Sequence, residues 1–295
     1  MAASQATLEL RNNSDPNFRL WGDFIENGLI AGGWTKVYSD YGAGTGWTDV
    51  AAPAQNTFGV TEIWKSPDEV GLTNFYLKLR YGSHNSVTVG PALEWSVSWA
   101  WTSGSSLGGT PTTAVDTRGG TTAASSTAFR CTIAAGTGYV AICLGGGAQV
   151  ACAHVLTIER TKDSNLDAQD ELAIFGQYAT SSLLANNKVY TAEGYEFTSA
   201  IATAGSATSW YPVSLSAAQQ VSRGSIGLLY FIPWRGFTTS PLTNFLGTTA
   251  DTMGAIGEQV PFEVYGVSRN YMLLGTTNNA PGALASGKNG IILFQ

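Results

Sequence analysis

Apolar positions along this chain change their period once. From Phe18 through Trp21 and Ile25 to Leu29 they recur at spacings of three, four and four, which makes one face of an α-helix. Ser14 or Asp15 supplies an N-cap, Pro16 falls in the first turn where proline is tolerated, and Gly32 and Gly33 end the pattern. Leu20 and Phe24 widen the apolar face, so this helix is expected to pack on a sheet or on a neighbouring subunit. Beyond it the period is two. In NFYLKLRYG, Phe75, Leu77, Leu79 and Tyr81 point one way while Tyr76, Lys78 and Arg80 point the other. In ALEWSVSWAW, Leu93, Trp95, Val97, Trp99 and Trp101 share a face. Both segments are predicted to be strands, paired through the loop from Gly82 to Gly90.

Further strands are predicted over 58–64, 139–144, 154–160, 172–177, 226–232, 262–267, 271–274 and 291–294. Short strands punctuated by Gly, Pro, Asn and Asp predict a mainly β chain, with a β-sandwich or jelly-roll-like body and one N-terminal amphipathic helix. Residues 102–127 hold almost nothing that anchors a core, which predicts a long surface loop. Charge clusters at 161–169, and this suggests a division into a helix-plus-β unit over 1–165 and a C-terminal β unit over 166–295. The absence of a regular repeat excludes propellers and solenoids.

Composition narrows the function. The chain has 15 basic and 21 acidic residues in 295, so 12% are charged, where an ordinary soluble domain carries about a quarter. A surface so poor in charge must be solvated by hydroxyls and amides or covered by other subunits, and it leaves few groups for acid–base chemistry. An assembly component is expected, not an enzyme. The net charge of −6, with no run of Lys or Arg, argues against nucleic acid as a partner. No apolar run approaches the ~20 residues that span a bilayer, and MAASQATLELRNN lacks the pattern of a signal peptide, so synthesis is expected to end in a cytosol. Cys131, Cys143 and Cys152 fit neither a disulfide framework nor paired zinc ligands and are read as small buried residues.

Candidate chemistry is sparse. Gly104-Ser105-Ser106-Leu107-Gly108 matches the G-x-S-x-G of a nucleophile elbow, with Asp116 and His154 as conceivable partners, but GTPTTAVDTRGG cannot form the helix that such an elbow needs. His84 reads as a turn residue. Cys152 and His154 share a strand face yet are too few for zinc, which wants three or four ligands. Asp163, Asp167, Asp170 and Glu171 cluster without the ligand order of a calcium loop, so a polar turn is the preferred reading. No phosphate-binding loop is present, and no cofactor or metal is expected. Glu62, Glu94 and Glu263 stand isolated in sequence. The nine tryptophans divide by context. Trp95, Trp99 and Trp101, with Phe18, Trp21 and Phe24 of the helix, are candidates for core or subunit contact. Trp47, Trp210 and Trp234, in loop-like contexts, are candidates for stacking on a host-surface glycan.

Four strings carry a resemblance. Phe18-Arg19-Leu20-Trp21-Gly22 leads a helix to Gly33-Trp34-Thr35; then come Glu62-Ile63-Trp64, Leu77-Lys78-Leu79-Arg80-Tyr81-Gly82, and Ile158-Glu159-Arg160-Thr161-Lys162-Asp163. Together they resemble a group of tailed-bacteriophage proteins encoded among virion structural genes, in which an F-R-x-W-G helix is followed by E-I-W, K-x-x-Y-G and I-E-R-x-x-D strands. The resemblance covers the first 165 residues. It implies a non-enzymatic virion component made in the host cytoplasm, with other virion proteins and copies of itself as partners, a trimer by analogy. A tail or baseplate-fibre station is favoured over decoration of the capsid exterior, and a glycan-binding module is the further alternative.

Overall fold

A computed structural model describes residues 8–10, 15–41, 46–83, 91–116, 129–146, 154–163, 165–178, 188–198, 211–212, 228–232, 234–235, 238–239, 245–248, 259–264, 267–273 and 290–293. The predicted helix is α1, Asp15–Ala31. Phe18, Trp21, Ile25 and Leu29 are all fully buried, so the three-four-four spacing marks the face that leaves water. Its end is set by glycine. Gly33, at φ +84°, donates to the Ile30 carbonyl while Trp34 donates to that of Leu29, a left-handed cap that satisfies two terminal carbonyls.

Fourteen strands follow the chain from residue 8 to residue 198: β1 Leu8–Leu10, β2 Thr35–Ser39, β3 Phe58–Lys65, β4 Tyr76–Ser83, β5 Pro91–Ser98, β6 Ala100–Ser103, β7 Ser106–Gly108, β8 Val115–Asp116, β9 Phe129–Gly136, β10 Tyr139–Gly146, β11 His154–Lys162, β12 Ala168–Tyr178, β13 Lys188–Thr191 and β14 Glu196–Thr198. They make a five-stranded sheet in the order β2-β3-β4-β5-β8, a seven-stranded sheet in the order β1-β9-β10-β11-β12-β13-β14, and the hairpin β6-β7. Neighbours within both large sheets are antiparallel.

Register lines up the buried side chains. Across the five-stranded sheet run the rows Val60–Tyr81–Leu93, Glu62–Leu79–Trp95–Val115 and Trp64–Leu77–Val97. Across the other run Ile133–Ile142–Leu156 and Arg160–Leu172–Tyr190. The apolar members of these rows and the helix face join in one core. This is a β-sandwich with a helix packed into it. The helix meets β9 of the seven-stranded sheet closely at two glycines: a Cβ on Gly28 would stand 2.4 Å from Ile133, and one on Gly32 would stand 2.6 Å from the Ala135 carbonyl.

Three expectations are corrected. The alternation through Trp101 does not form one strand, because the chain bends at Trp99 and starts the β6-β7 hairpin. Residues 102–116 are not a bare loop: Thr112 exchanges hydrogen bonds with Val97, donating N–H at 2.8 Å and accepting through Oγ1 at 2.9 Å, and Val115 enters the core. Residues 117–128 lie outside the described set. The charged stretch near 165 is no boundary between sheets, since it turns β11 into its hairpin partner β12.

Beyond residue 198, six strands make a further sheet in the order Tyr211–Pro212, Leu228–Ile232, Phe245–Thr248, Gly290–Leu293, Val267–Leu273 and Gln259–Val264. Trp234–Arg235 pairs with Thr238–Thr239. Among the described residues no helix is long and apolar enough to cross a membrane.

Candidate functional site

Two of the inward rows contain an ion where alternation calls for an apolar residue. In β3, Val60, Glu62 and Trp64 share the inner face, so Glu62 is carried into the core at 0% exposure. Its oxygens are divided. Oε2 accepts from the Tyr81 hydroxyl at 2.7 Å and from Trp64 Nε1 at 3.0 Å. Oε1 lies 2.5 Å from the Tyr41 hydroxyl, with Lys36 Nζ at 3.8 Å. Tyr41 in turn lies 2.7 Å from Glu26 Oε2, and Lys36 donates to Glu26 Oε1 at 2.5 Å and to the Tyr41 oxygen at 2.6 Å. The cluster thus ties α1, β2, β3 and β4. Burial pushes the Glu62 carboxyl up to about 7 against the opposing pull of Tyr41, Tyr81, Trp64 and Lys36. Burial, and then the Glu62 charge, also raise the Tyr41 and Tyr81 phenols.

The second ion is Arg160, carried inward by the alternation Leu156, Ile158, Arg160, with its side chain 2% exposed. Its guanidinium reaches across the sandwich to the segment that joins β3 to β4. Nη2 donates to the Thr73 carbonyl at 2.5 Å, and Nη1 to Asp170 Oδ1 at 3.1 Å. Nε pairs with Glu69 Oε2 at 3.0 Å, an ion contact without hydrogen-bond geometry. Asp170 also accepts from the amide and hydroxyl of Thr73, each at 2.9 Å. The cation lies 5.3 Å from the Phe75 ring centroid and 5.6 Å from that of Trp99, within cation–π range.

A cleft of about 610 Å³ opens beside the first centre, lined by Asp40, Tyr41, Asp49, Val50 and Val60 among others. Tyr41 contributes to its wall while its hydroxyl faces Glu26 and Glu62, and Asp40 Oδ2 accepts from the Thr61 amide at 2.9 Å. Both ionic centres therefore act as struts between elements.

The chain matches no protein-family model, no curated protein and no solved structure.

The structure redistributes the residues singled out in the sequence. Phe18, Trp21 and Trp95, expected at an assembly interface, are at most 1% exposed in the core of the chain itself, which the helix and sheets close over them. Phe24 and Trp99 are partly buried against that core. Trp99 stacks on Tyr190 and donates to the Thr191 carbonyl at 2.5 Å, while Trp101 donates to the Gly104 carbonyl within its own hairpin. Trp47, expected to meet glycan, is 3% exposed: its ring fills the slot left by Gly22 and packs on Phe18 and Tyr81. Trp210 and the side chain of Trp234 lie outside the described residues.

The G-x-S-x-G string forms a hairpin turn at Gly104 and Ser105, and Ser106 begins a strand. No strand-to-helix elbow results. His84, Cys152 and the side chains of His154 and Cys143 are outside the described set, whereas Cys131 is buried in the core. The acidic residues divide between a turn and a strand: Asp163 Oδ1 accepts from the Asn165 and Asp167 amides in the turn, whereas Asp170 and Glu171 lie on β12, with Asp170 held by Arg160 and Thr73. Among the described residues no three His, Cys, Asp or Glu side chains gather as a metal site. Sequence reasoning missed the Glu26–Lys36–Tyr41–Glu62 cluster and the Arg160 strut. The available signal was an ion at an inward position of an alternating strand.

Proposed function

We propose that this chain is a non-enzymatic structural protein of a bacteriophage virion, assembled as a homo-oligomer in the tail or baseplate fibre. The observation that carries the reading is the convergence of the phage-like strings. Phe18 and Trp21, Glu62 and Trp64, Tyr81, and Ile158 lie far apart in sequence and meet in one interlocked unit: Trp21 packs on Tyr81, and Glu62 accepts from both Trp64 and Tyr81. Arg160 and Asp163 of the last string hold the strut and its neighbouring turn. The residues that carry the resemblance are thus ones that hold this fold together, and that is what supports the reading. The low charge content supports the same reading, because neighbouring copies bury uncharged faces at small desolvation cost.

Quantitative mass spectrometry of purified particles tests it. A few to a few dozen copies per particle, in the tail fraction, is the expected result. Hundreds of copies in the head fraction would assign the protein to capsid decoration instead, and absence from both fractions would overturn a virion role. Light scattering of the purified chain is expected to give a multiple of its 31.0 kDa mass.

A further inference from the structure

Counting protons in the buried cluster gives one more than ordinary ionisation states allow. The Tyr41 oxygen lies 2.5 Å from Glu62 Oε1 and 2.7 Å from Glu26 Oε2, and it also accepts from Lys36. A phenol has one hydrogen. Two carboxylate contacts at these distances need two, because an unprotonated oxygen pair so close brings lone pairs together. The missing proton must be on a carboxyl. Glu26 is partly exposed and paired directly with Lys36 at 2.5 Å. Glu62 is fully buried and stands 3.8 Å from the same ammonium. Its Oε2 is already an acceptor for Tyr81 and Trp64, so the proton is on Oε1, aimed at Tyr41.

We propose that Glu62 carries its proton as a neutral carboxylic acid in the folded chain and that Glu62–Tyr41–Glu26 is a one-proton latch that seats α1 on the five-stranded sheet. Glu62 donates to Tyr41, and Tyr41 donates to Glu26. Lys36 and Glu26 then balance, and the buried cluster carries no net charge. When Glu62 loses its proton, the phenol serves only one carboxylate, a net negative charge is left in the core, and the tie from β3 through Tyr41 to the helix opens. The groups facing Glu62 are Lys36 on β2, Tyr41 after it, Trp64 on β3, Tyr81 on β4 and, through Tyr41, Glu26 on α1; Asp40 is turned to the Thr61 amide. The two phenols are raised by burial and by the Glu62 charge, so neither supplies a proton in the neutral range.

The sign follows. The folded chain holds this proton up to about 7, the unfolded chain only to about 4.3. The stability it confers is complete below the lower value and is lost as pH rises through the upper one. Comparing the folding equilibrium of the wild type with that of Glu62→Gln cancels every other titrating group. Between about pH 5 and pH 8.5 the wild-type folding constant should fall relative to that of the variant by on the order of a hundredfold. A ratio independent of pH would overturn the proposal. The wild type alone gives a second measurement if the variant does not fold. In a carbon-13 titration of labelled glutamates, one carboxyl should titrate near neutrality, and finding them all in the ordinary carboxylate range would overturn the latch.

Discussion

The indole of Trp21 meets the ring of Tyr81 edge to face, with centroids 5.1 Å apart and planes at 75°. Helix and five-stranded sheet are thus joined by the same tyrosine whose hydroxyl donates to Glu62. Trp21 is fully buried inside one chain, so its loss should act on folding. Trp21→Ala should cost about 3–5 kcal/mol of stability, and the fraction that folds should keep the wild-type oligomeric state. Among the described residues the Trp21 indole N–H has no hydrogen-bond partner, so Trp21→Phe strands no acceptor there and should cost well under half as much. Denaturant unfolding with light scattering checks both, and an oligomer that falls apart while the monomer stays stable would contradict them.

What could be read in the sequence followed from periodicity. Phe18 to Leu29, Phe75 to Tyr81 and Leu93 to Val97 each carry an unbroken pattern, and all three pack as read. Trp99 was misplaced because alternation continues across a bend that no residue type announces. Trp47 was misplaced because its burial depends on the missing side chain of Gly22, 25 positions earlier. Glu62 and Arg160 stood out only as ions in apolar rows. Their partners could not be read, since Thr73 is 87 residues from Arg160 and only the stacking of two sheets brings them together.

The same slot gives a second prediction. Gly22→Ala improves helix propensity by up to about 1 kcal/mol, but the new Cβ would stand 2.3 Å from the Trp47 ring. Trp47 is buried and wedged against Phe18 and Tyr81, so making room for the methyl disturbs those contacts. Overpacking of this kind costs about 1–3 kcal/mol, so the variant should melt at a lower temperature than the wild type. Gly32→Ala should be at least as damaging, because its Cβ would meet the Ala135 backbone at 2.6 Å. Thermal unfolding followed by circular dichroism decides the sign.

Arg160→Lys should be far from conservative. One ammonium cannot reach the Thr73 carbonyl, Glu69 and Asp170 together, and the strut between the sheets loses at least one arm. Breaking a buried charged network typically costs about 3–5 kcal/mol. Glu69 and Asp170 are 26% and 29% exposed and regain some water, which places the expected loss at the lower end. Salt should change the wild-type value little, because the guanidinium is almost wholly shielded from mobile ions. Denaturant titrations at low and high ionic strength measure both effects; a strong salt dependence would mean that the strut opens to solvent.

Leu166 gives the one expected gain in stability. It turns β11 into β12 at φ +69°, in the left-handed region that an L side chain enters at a cost of about 1–2 kcal/mol. Asn56 occupies the same region at φ +59°, as suits a residue whose short amide tolerates it. The turn is held by bonds that do not involve the Leu166 side chain: Asp163 Oδ1 accepts from the Asn165 and Asp167 amides, and the Asp163 carbonyl accepts from the Leu166 amide. Leu166→Asn therefore keeps the turn and removes most of the strain. The leucine is 37% exposed, so some apolar contact is lost and offsets part of the benefit. The balance is a gain of about 0.5–1 kcal/mol, visible as a higher melting temperature. A lower one would mean that the buried part of Leu166 outweighs its backbone strain and that its contacts, not the Asp163 hydrogen bonds, hold the hairpin closed.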